Sequence, residues 1–331
     1  MEIDWGLGER LEGDFMAIRE LLLIGVSIVG CVTLARGGER RVEGDAVIRG
    51  RAGESEIVIR TTDRLAGAIH SLTWGGKEFI NSTDHGRQLQ SACSFDCGRP
   101  GPFWAECYNP TEAGSRRDGA GEKSTSRLVS IRGEGNELET VTQMAFWLAP
   151  GEKSDGRPAL NEKVLSDHLV RKHVKIGYKD WPGVIEYEVT FVVPSEERHT
   201  FAQFEALTGY MPVEFGTFWK FLPETGEIKP MEEGQGEQAY PVIAATADGK
   251  FAMGIYSAEQ PSRGFEKVGY GRFRFPEARV NKWNCVFRVK DADGIAAGEH
   301  RFKMYVAVGT LEDVRSTMGA VVKDLRERKR G

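Results

Sequence analysis

The sequence predicts an all-β protein, a large antiparallel β-sandwich with one C-terminal helix. Short runs of β-branched and aromatic residues are separated by turn residues, and the 40 glycines supply many of these turns. Strands do not alternate with helices, so a parallel α/β sheet is not expected. No repeat of fixed period occurs, which counts against a propeller.

The strands are expected in order between residues 57 and 308. Turns at 133–136 and 248–250 predict two hairpins. Apolar residues at spacings of three and four, from Leu311 to Leu325, predict a helix from 311 to about 328 that packs on the outside of the β domain. The predicted strands cover 57–60, 65–74, 128–132, 138–148, 168–176, 184–193, 201–210, 240–246, 251–256, 272–275, 283–289 and 300–308.

The N-terminal residues predict an export leader. Residues 21–30 form an apolar run with the length of a signal-peptide core, and this run is short for a membrane span. Residues 1–15 are acidic, so Met16 is the better start and the first fifteen residues are expected to come from a mis-called start codon. The segment ending at Cys31 resembles a bacterial lipobox, with a plain secretory signal or an uncleaved anchor as alternatives.

The predicted organisation is a leader over 1–36, a linker over 37–54 and one β domain over 55–331. We therefore expect an exported protein, periplasmic or at the cell surface. Membrane attachment would use the leader or a lipidated Cys31.

Composition and motifs exclude several functional classes. The net charge of −5 is mild and gives no basic face, so no nucleic-acid partner is expected. No phosphate loop, dinucleotide fingerprint, Gly-x-Ser-x-Gly elbow or His-Glu-x-x-His motif occurs. Cys93, Cys97 and Cys107 match no established zinc spacing, so no metal and no cofactor are expected. With Cys285 they make an even number, which permits disulfides in an exported chain.

Two polar segments, residues 81–92 and 106–114, hold the densest set of groups that bind polyhydroxylated ligands. The guanidinium of Arg87 has a planar fork that matches adjacent sugar hydroxyls or a uronate carboxylate. We expect the two segments to meet in one concave carbohydrate site. The alternatives are solvated loops and, for Arg87, a salt bridge with Asp84. The binding residues expected in these segments are Asp84, Arg87, Gln88, Tyr108 and Asn109.

Candidate catalytic groups lie in the same segments. His85 would act as a general acid or base, with a capping role at a strand end as the alternative. Glu106 and Glu112 would form the carboxylate pair that glycoside cleavage requires. Outside the segments, Trp219 is expected to stack on a sugar ring, with core packing as the alternative.

Four segments together resemble the galactose-mutarotase-like β-supersandwich superfamily, which includes aldose 1-epimerases and domains of glycoside hydrolases and polysaccharide lyases. Residues 67–80 resemble its opening hairpin, and Gly86-Arg87 resembles the Gly-Arg that places a sugar-binding arginine. Residues 181–191 are similar to its aromatic-Pro-Gly strand, and 297–309 resemble its final strands. The resemblance implies one large sandwich and sugar handling.

The chain departs from that family at its acid-base residues. Glu205 stands where the second histidine of aldose epimerases would be expected, and it is predicted to bind substrate. Glu259 is a candidate for the late glutamate. Simple mutarotase activity is therefore not expected.

Two functions from different classes follow. The first is an exported enzyme, a hydrolase or lyase of polysaccharides or oligosaccharides, with His85, Arg87 and Glu106 central. The second is a non-catalytic, surface-anchored glycan-binding or structural lipoprotein. Titratable groups on opposite sides of a cleft would favour the enzyme, whereas a cleft of aromatics and amides would favour binding.

Overall fold

Strands dominate the backbone of residues 42–330, the part of the chain that the computed structural model describes. The strands of the first part are β1 (Val47–Ala52), β2 (Ser55–Thr61), β3 (Ile69–Trp74), β4 (Lys77–Glu78), β5 (Leu89–Phe95) and β6 (Pro110–Thr111). Those of the middle part are β7 (Arg127–Glu134), β8 (Glu137–Phe146), β9 (Lys153–Ser154), β10 (Arg157–Pro158), β11 (Leu165–Tyr178), β12 (Trp181–Val193) and β13 (Phe201–Pro212). The last are β14 (Thr217–Leu222), β15 (Glu227–Pro230), β16 (Gly236–Gln238), β17 (Val242–Ala245), β18 (Ala252–Tyr256), β19 (Tyr270–Phe275), β20 (Val280–Lys290) and β21 (Gly298–Gly309).

These strands form two antiparallel layers. The first layer has the order β7-β8-β11-β12-β21-β18-β17-β14-β15. The second layer has the order β1-β2-β3-β5-β13-β20-β19-β16. The short strand β6 joins the layers because it pairs with both β5 and β8. This architecture, with one helix at the C-terminus, confirms the predicted all-β class.

Apolar side chains from both layers form one core between them. Phe204 of β13 lies 5.2 Å, between ring centroids, from Phe191 of β12. Phe287 of β20 lies 4.4 Å from Phe302 of β21. Burial of side chains of this size stabilises the fold by about 1.5–3 kcal/mol each. Successive residues of a strand point to opposite faces. The residues that alternate with the core residues Phe204 of β13 and Phe287 of β20 therefore project from the outer face of the second layer.

The helix α1 (Leu311–Arg330) packs on the outer face of the first layer, as predicted. Its first turn is capped by Thr310, whose hydroxyl accepts the Asp313 backbone N–H at 3.2 Å, while the Asp313 carboxylate accepts the Thr310 N–H at 3.2 Å. Gly254 of β18 permits the close approach, because a Cβ there would lie 2.6 Å from the Met318 sulfur. Within residues 42–330, no helix combines the length and apolar character needed to cross a membrane.

The start of the β domain differs from the prediction. β1 lies inside the predicted linker 37–54, pairs with β2 and buries Ile48. Its glycine and two arginines resemble linker composition, but the arginines alternate with Ile48, Gly50 and Ala52, which face the core. The predicted leader, the start at Met16 and Cys31 lie outside the described residues. The described cysteines, Cys93, Cys97, Cys107 and Cys285, are free thiols.

Candidate functional site

The outer face of the second layer carries a continuous set of polar side chains on β13 and β20. Trp283, Cys285 and Phe287 belong to the core, so the alternate residues of β20 point outward. Across the strand pair, Tyr210 is opposite Lys282, Thr208 opposite Asn284 and Gln203 opposite Arg288. We call this outer set the polar face: Gln203, Glu205, Thr208, Tyr210, Lys282, Asn284, Arg288, Glu237 of β16, and Asp84 and Arg87 before β5.

A bulge in β13 brings Glu205 onto the polar face beside Thr208. The register between β13 and β20 shifts between Glu205 and Leu207, which inserts one extra residue. The Thr208 hydroxyl then donates to the Glu205 carboxylate at 3.0 Å. Bulges of this kind commonly re-aim a side chain next to a functional site.

Ion pairs balance every positive charge of the polar face. Lys282 Nζ lies 3.1 Å from Glu205 Oε2, and the two side chains are 14% and 22% exposed. Arg288 Nη2 lies 2.7 Å from Glu237 Oε2, with side chains 12% and 17% exposed. Arg87 Nη2 lies 3.0 Å from Asp84 Oδ2. The three cations therefore meet three carboxylates, and the polar face carries no net charge.

Glu205 and Lys282, the pair between β13 and β20, both stay charged at neutral pH. Burial would raise the pKa of Glu205, but the Lys282 ammonium and its hydrogen bond outweigh it and hold the pKa below the usual range. Burial would lower the pKa of Lys282, but the Glu205 carboxylate outweighs it and raises the pKa. Neither group has the pKa near 7 that a general acid or base requires.

Aromatic rings flank this pair. Lys282 Nζ lies 5.4 Å from the centroid of Tyr210 and 5.5 Å from that of Phe273. Burial raises the pKa of Tyr210; Lys282 opposes this shift, whereas the carboxylates of Glu205 and Asp84 add to it. The hydroxyl therefore remains a hydrogen-bond donor. Rings beside hydrogen-bonding groups suit the mixed apolar and polar faces of a sugar.

Asp84 and Arg87 extend the polar face beyond β13. Arg87 also donates from Nη1 to the Ala278 carbonyl at 3.2 Å. The Tyr210 amide donates to the Gln88 carbonyl at 3.1 Å, which fixes this segment beside Tyr210. The Gln88 side chain is buried and donates to the Asp84 carbonyl at 3.0 Å, so it supports the segment. Gly86 is required there because a Cβ would lie 2.8 Å from the Trp147 ring.

His85 lies beneath the same segment and is 1% exposed. Its Nδ1 lies 2.8 Å from the Gly119 carbonyl and its Nε2 lies 2.9 Å from the Arg64 carbonyl. Both nitrogens are therefore engaged by the backbone, and neither can exchange a proton with a ligand in this conformation. This placement corrects the predicted catalytic role and favours the structural alternative.

The two glutamates predicted as a catalytic pair occupy different surroundings. Glu112 is fully buried, forms an ion pair with the equally buried Lys172 and accepts the Ser91 amide at 3.0 Å. Glu106 is partly exposed and accepts the Ser154 hydroxyl at 2.5 Å. Because Glu112 is closed off from external ligands, the structure does not support this pair on opposite sides of a glycosidic bond.

Three further predicted binding residues have structural contacts. Asn109 donates to the Cys93 carbonyl at 2.7 Å, and Tyr108 donates from its hydroxyl to Glu197 at 2.8 Å. Trp219 packs with the cluster beneath α1, on the first layer. The core separates this cluster from the polar face, so Trp219 cannot share a site with Arg87, and its packing alternative is favoured.

Sequence reasoning named Asp84, Arg87 and Glu205 as substrate-binding residues but missed their neighbours on β20. Asn284 and Arg288 fall at an even spacing within the predicted strand 283–289, and Lys282 directly precedes it at the same parity, so this alternation is the available signal. Elsewhere in residues 42–330, His168, Glu197 and His199 form a group whose atoms have the spacing of metal ligands.

Comparison with known proteins gives a fold-level picture. No family model matches the chain, and no curated protein matches it in sequence. Similar solved structures include the Slr1438 protein from Synechocystis sp. PCC 6803, with 8% identity, a TM-score of 0.42 and coverage of 82% of this chain and 97% of that one. A galactose mutarotase-like protein from Lactobacillus casei ATCC 334 has 7% identity, a TM-score of 0.42 and coverage of 80% and 100%.

An alpha-galactosidase from Lactobacillus brevis has 6% identity and a TM-score of 0.42, and the match covers 82% of this chain but 40% of that enzyme. One of these neighbours, the Lactobacillus casei protein, carries the galactose mutarotase-like name of the superfamily that the sequence resembles. Since the TM-scores are below 0.5, the similarities carry no argument about function, and the polar face is interpreted from its own residues.

Proposed function

We propose that the chain is a carbohydrate-binding protein whose polar face holds a neutral glycan. The observation that carries the proposal is the paired set of partly buried charges, Glu205 with Lys282 and Asp84 with Arg87, beside the Tyr210 ring. Fixed donors and acceptors at the edge of an aromatic ring suit a ligand with hydroxyls around an apolar ring.

The charge balance favours a neutral sugar over a uronate. Each arginine or lysine of the polar face already contacts a carboxylate. An acidic sugar would have to displace one of these carboxylates and leave it partly buried without its partner, which costs free energy. Hydroxyl groups can add to the existing pairs without breaking them.

Of the two functions, we rank binding without catalysis above hydrolase or lyase activity. Glu205 and Lys282 are held in their charged forms, which favours binding. Glu106, at the partly exposed turn beside Ser154, is the catalytic carboxylate that the enzyme alternative retains.

Replacing Arg87 with Ala is expected to lower glycan affinity at least about tenfold, because a fixed guanidinium fork is lost. The measurement is calorimetric titration against a panel of neutral and acidic oligosaccharides and polysaccharides, with reducing ends and unsaturated-uronate absorbance followed in parallel. Arg49→Ala is the matched control, since Arg49 of β1 pairs with Glu56 of β2 at 3.6 Å and both side chains are exposed. Unchanged binding by the Arg87 variant, or no binding of any glycan by the parent, would contradict the proposal.

Export and membrane attachment form a separate part of the proposal, which the apolar run 21–30 and the lipobox-like segment support. Replacing Cys31 with Ser is expected to move the protein from the membrane fraction to the soluble fraction, because the acyl chains would be absent. Cell fractionation of the full chain tests this, with replacement of the partly exposed Cys97 by Ser as the control for loss of a thiol. The same membrane fraction in both variants would refute attachment through Cys31.

A further inference from the structure

We propose that His168, Glu197 and His199 bind a divalent metal ion, Zn²⁺ or a first-row metal ion of similar ligand preference. His168 lies on β11, and the other two residues lie in the connection between β12 and β13. Glu197 Oε2 lies 2.7 Å from His168 Nε2 and 2.8 Å from His199 Nε2. One ligand atom from each residue lies within 4.8 Å of the others. Two imidazoles and one carboxylate form an established ligand set for zinc and non-haem iron.

The burial of the three side chains suits a built site that remains open to solution. The side chains of His168 and His199 are 1% and 2% exposed, whereas that of Glu197 is 19% exposed. An ion can therefore enter on the carboxylate side and keep one coordination position for water. Catalytic zinc sites have this arrangement of three protein ligands and one open position.

Neighbouring rings hold the ligands in place. The Tyr108 hydroxyl donates to Glu197 Oε1 at 2.8 Å, which leaves Oε2 directed at the two imidazoles. The Phe95 ring stacks on His168 and His199, with centroid distances of 5.0 and 4.4 Å. A hydrogen bond to a ligating carboxylate, such as that from Tyr108, orients the ligand, and its loss typically weakens metal affinity 10- to 100-fold.

The histidines have no other polar contact that explains their burial. Nδ1 of each ring is buried and has no hydrogen-bond partner among residues 42–330. The polar contact of both rings is therefore made through Nε2 to Glu197, and a metal bound at that point would leave the ring proton on each unpartnered Nδ1. The alternative occupant of that point is a proton on each Nε2, which would leave a hydrogen-bonded cluster without metal.

The test is metal binding by the full chain after removal of bound ions with a chelator. We expect one Zn²⁺ or Co²⁺ per chain, a higher melting temperature with metal and a visible absorption band with Co²⁺. His199→Gln and Glu197→Gln should each lower affinity at least about tenfold, since a direct ligand is lost. Tyr108→Phe, which retains the ring and tests the site if the other variants misfold, should lower it about tenfold.

Glu137→Gln is the matched control. Glu137 faces His173 at 3.8 Å in an exposed pair on β8 and β11 that has a single histidine, so this variant should bind metal like the parent. Failure of the parent to bind one ion per chain would overturn the proposal and leave only the hydrogen-bonded cluster. Equal loss in the Glu137 variant, or no loss in the Tyr108, His199 and Glu197 variants, would also overturn it.

Discussion

Replacing Lys172 with Met is expected to lower the free energy of unfolding by about 3–5 kcal/mol, because it leaves the Glu112 carboxylate buried without its partner. Both side chains are fully buried, and they join the two layers, since Glu112 follows β6 and Lys172 lies on β11. Lys172 Nζ also lies 5.9 Å from the Tyr187 ring centroid, a contact that would be lost with the charge.

A second replacement should recover much of this loss. In the double variant Lys172→Met with Glu112→Gln, no unpaired charge remains, and the amide oxygen can still accept the Ser91 N–H that Glu112 accepts at 3.0 Å. Urea unfolding of the parent, both single variants and the double variant gives the comparison. Lys163→Met is the surface control, because its pair with Asp167 is mostly exposed and should contribute less than about 1 kcal/mol. A loss for Lys172→Met no larger than that of this control would contradict a structural role for Glu112.

Replacing Lys282 with Met is expected to lower glycan affinity at least about tenfold, or about 1.4 kcal/mol. Lys282 donates to Glu205 and contacts the Tyr210 and Phe273 rings, so its loss disturbs the charge balance and the shape of the polar face. Glu205→Gln should have a similar effect on affinity.

The two replacements should not be additive, because the residues act as one pair. Calorimetric titration of the parent, the single variants and the double variant with the best neutral glycan measures the coupling. Lys303→Met is the matched control, since Lys303 forms a comparable pair with Glu188 at 2.7 Å on the outer face of the first layer. Full additivity, or an equal loss in the Lys303 variant, would place the glycan elsewhere.

Much of the fold follows from alternation along the chain. Polar and apolar residues alternate in β11 and β12, and these strands were predicted because one face must enter the core. The apolar stripe of α1 predicted its packing on the outside of the domain. β1 escaped prediction because its glycine and arginines resemble a linker, and its strand character depends on pairing with β2.

The site was only partly predictable because it depends on pairing between distant strands. Arg87 and Glu205 could be found from local motifs, but their proximity to Lys282 requires the register of β13 with β20. The polar segments also predict Glu112 and His85 as catalytic groups that are open to a ligand. Glu112 and His85 are instead buried. Glu112 accepts a hydrogen bond from a backbone N–H, and His85 contacts a backbone carbonyl inside the protein. Sequence alone does not distinguish a polar group that satisfies the backbone from one that meets a ligand.

The polar face is tested most directly by a crystal structure of the chain with a neutral oligosaccharide that the panel identifies. We expect a sugar ring over β13 and β20, with hydroxyls within hydrogen-bond distance of Glu205 and Lys282. An ordered sugar found only elsewhere would contradict it. One such place is the cavity of about 280 Å³ lined by Phe103, Trp104 and Arg157.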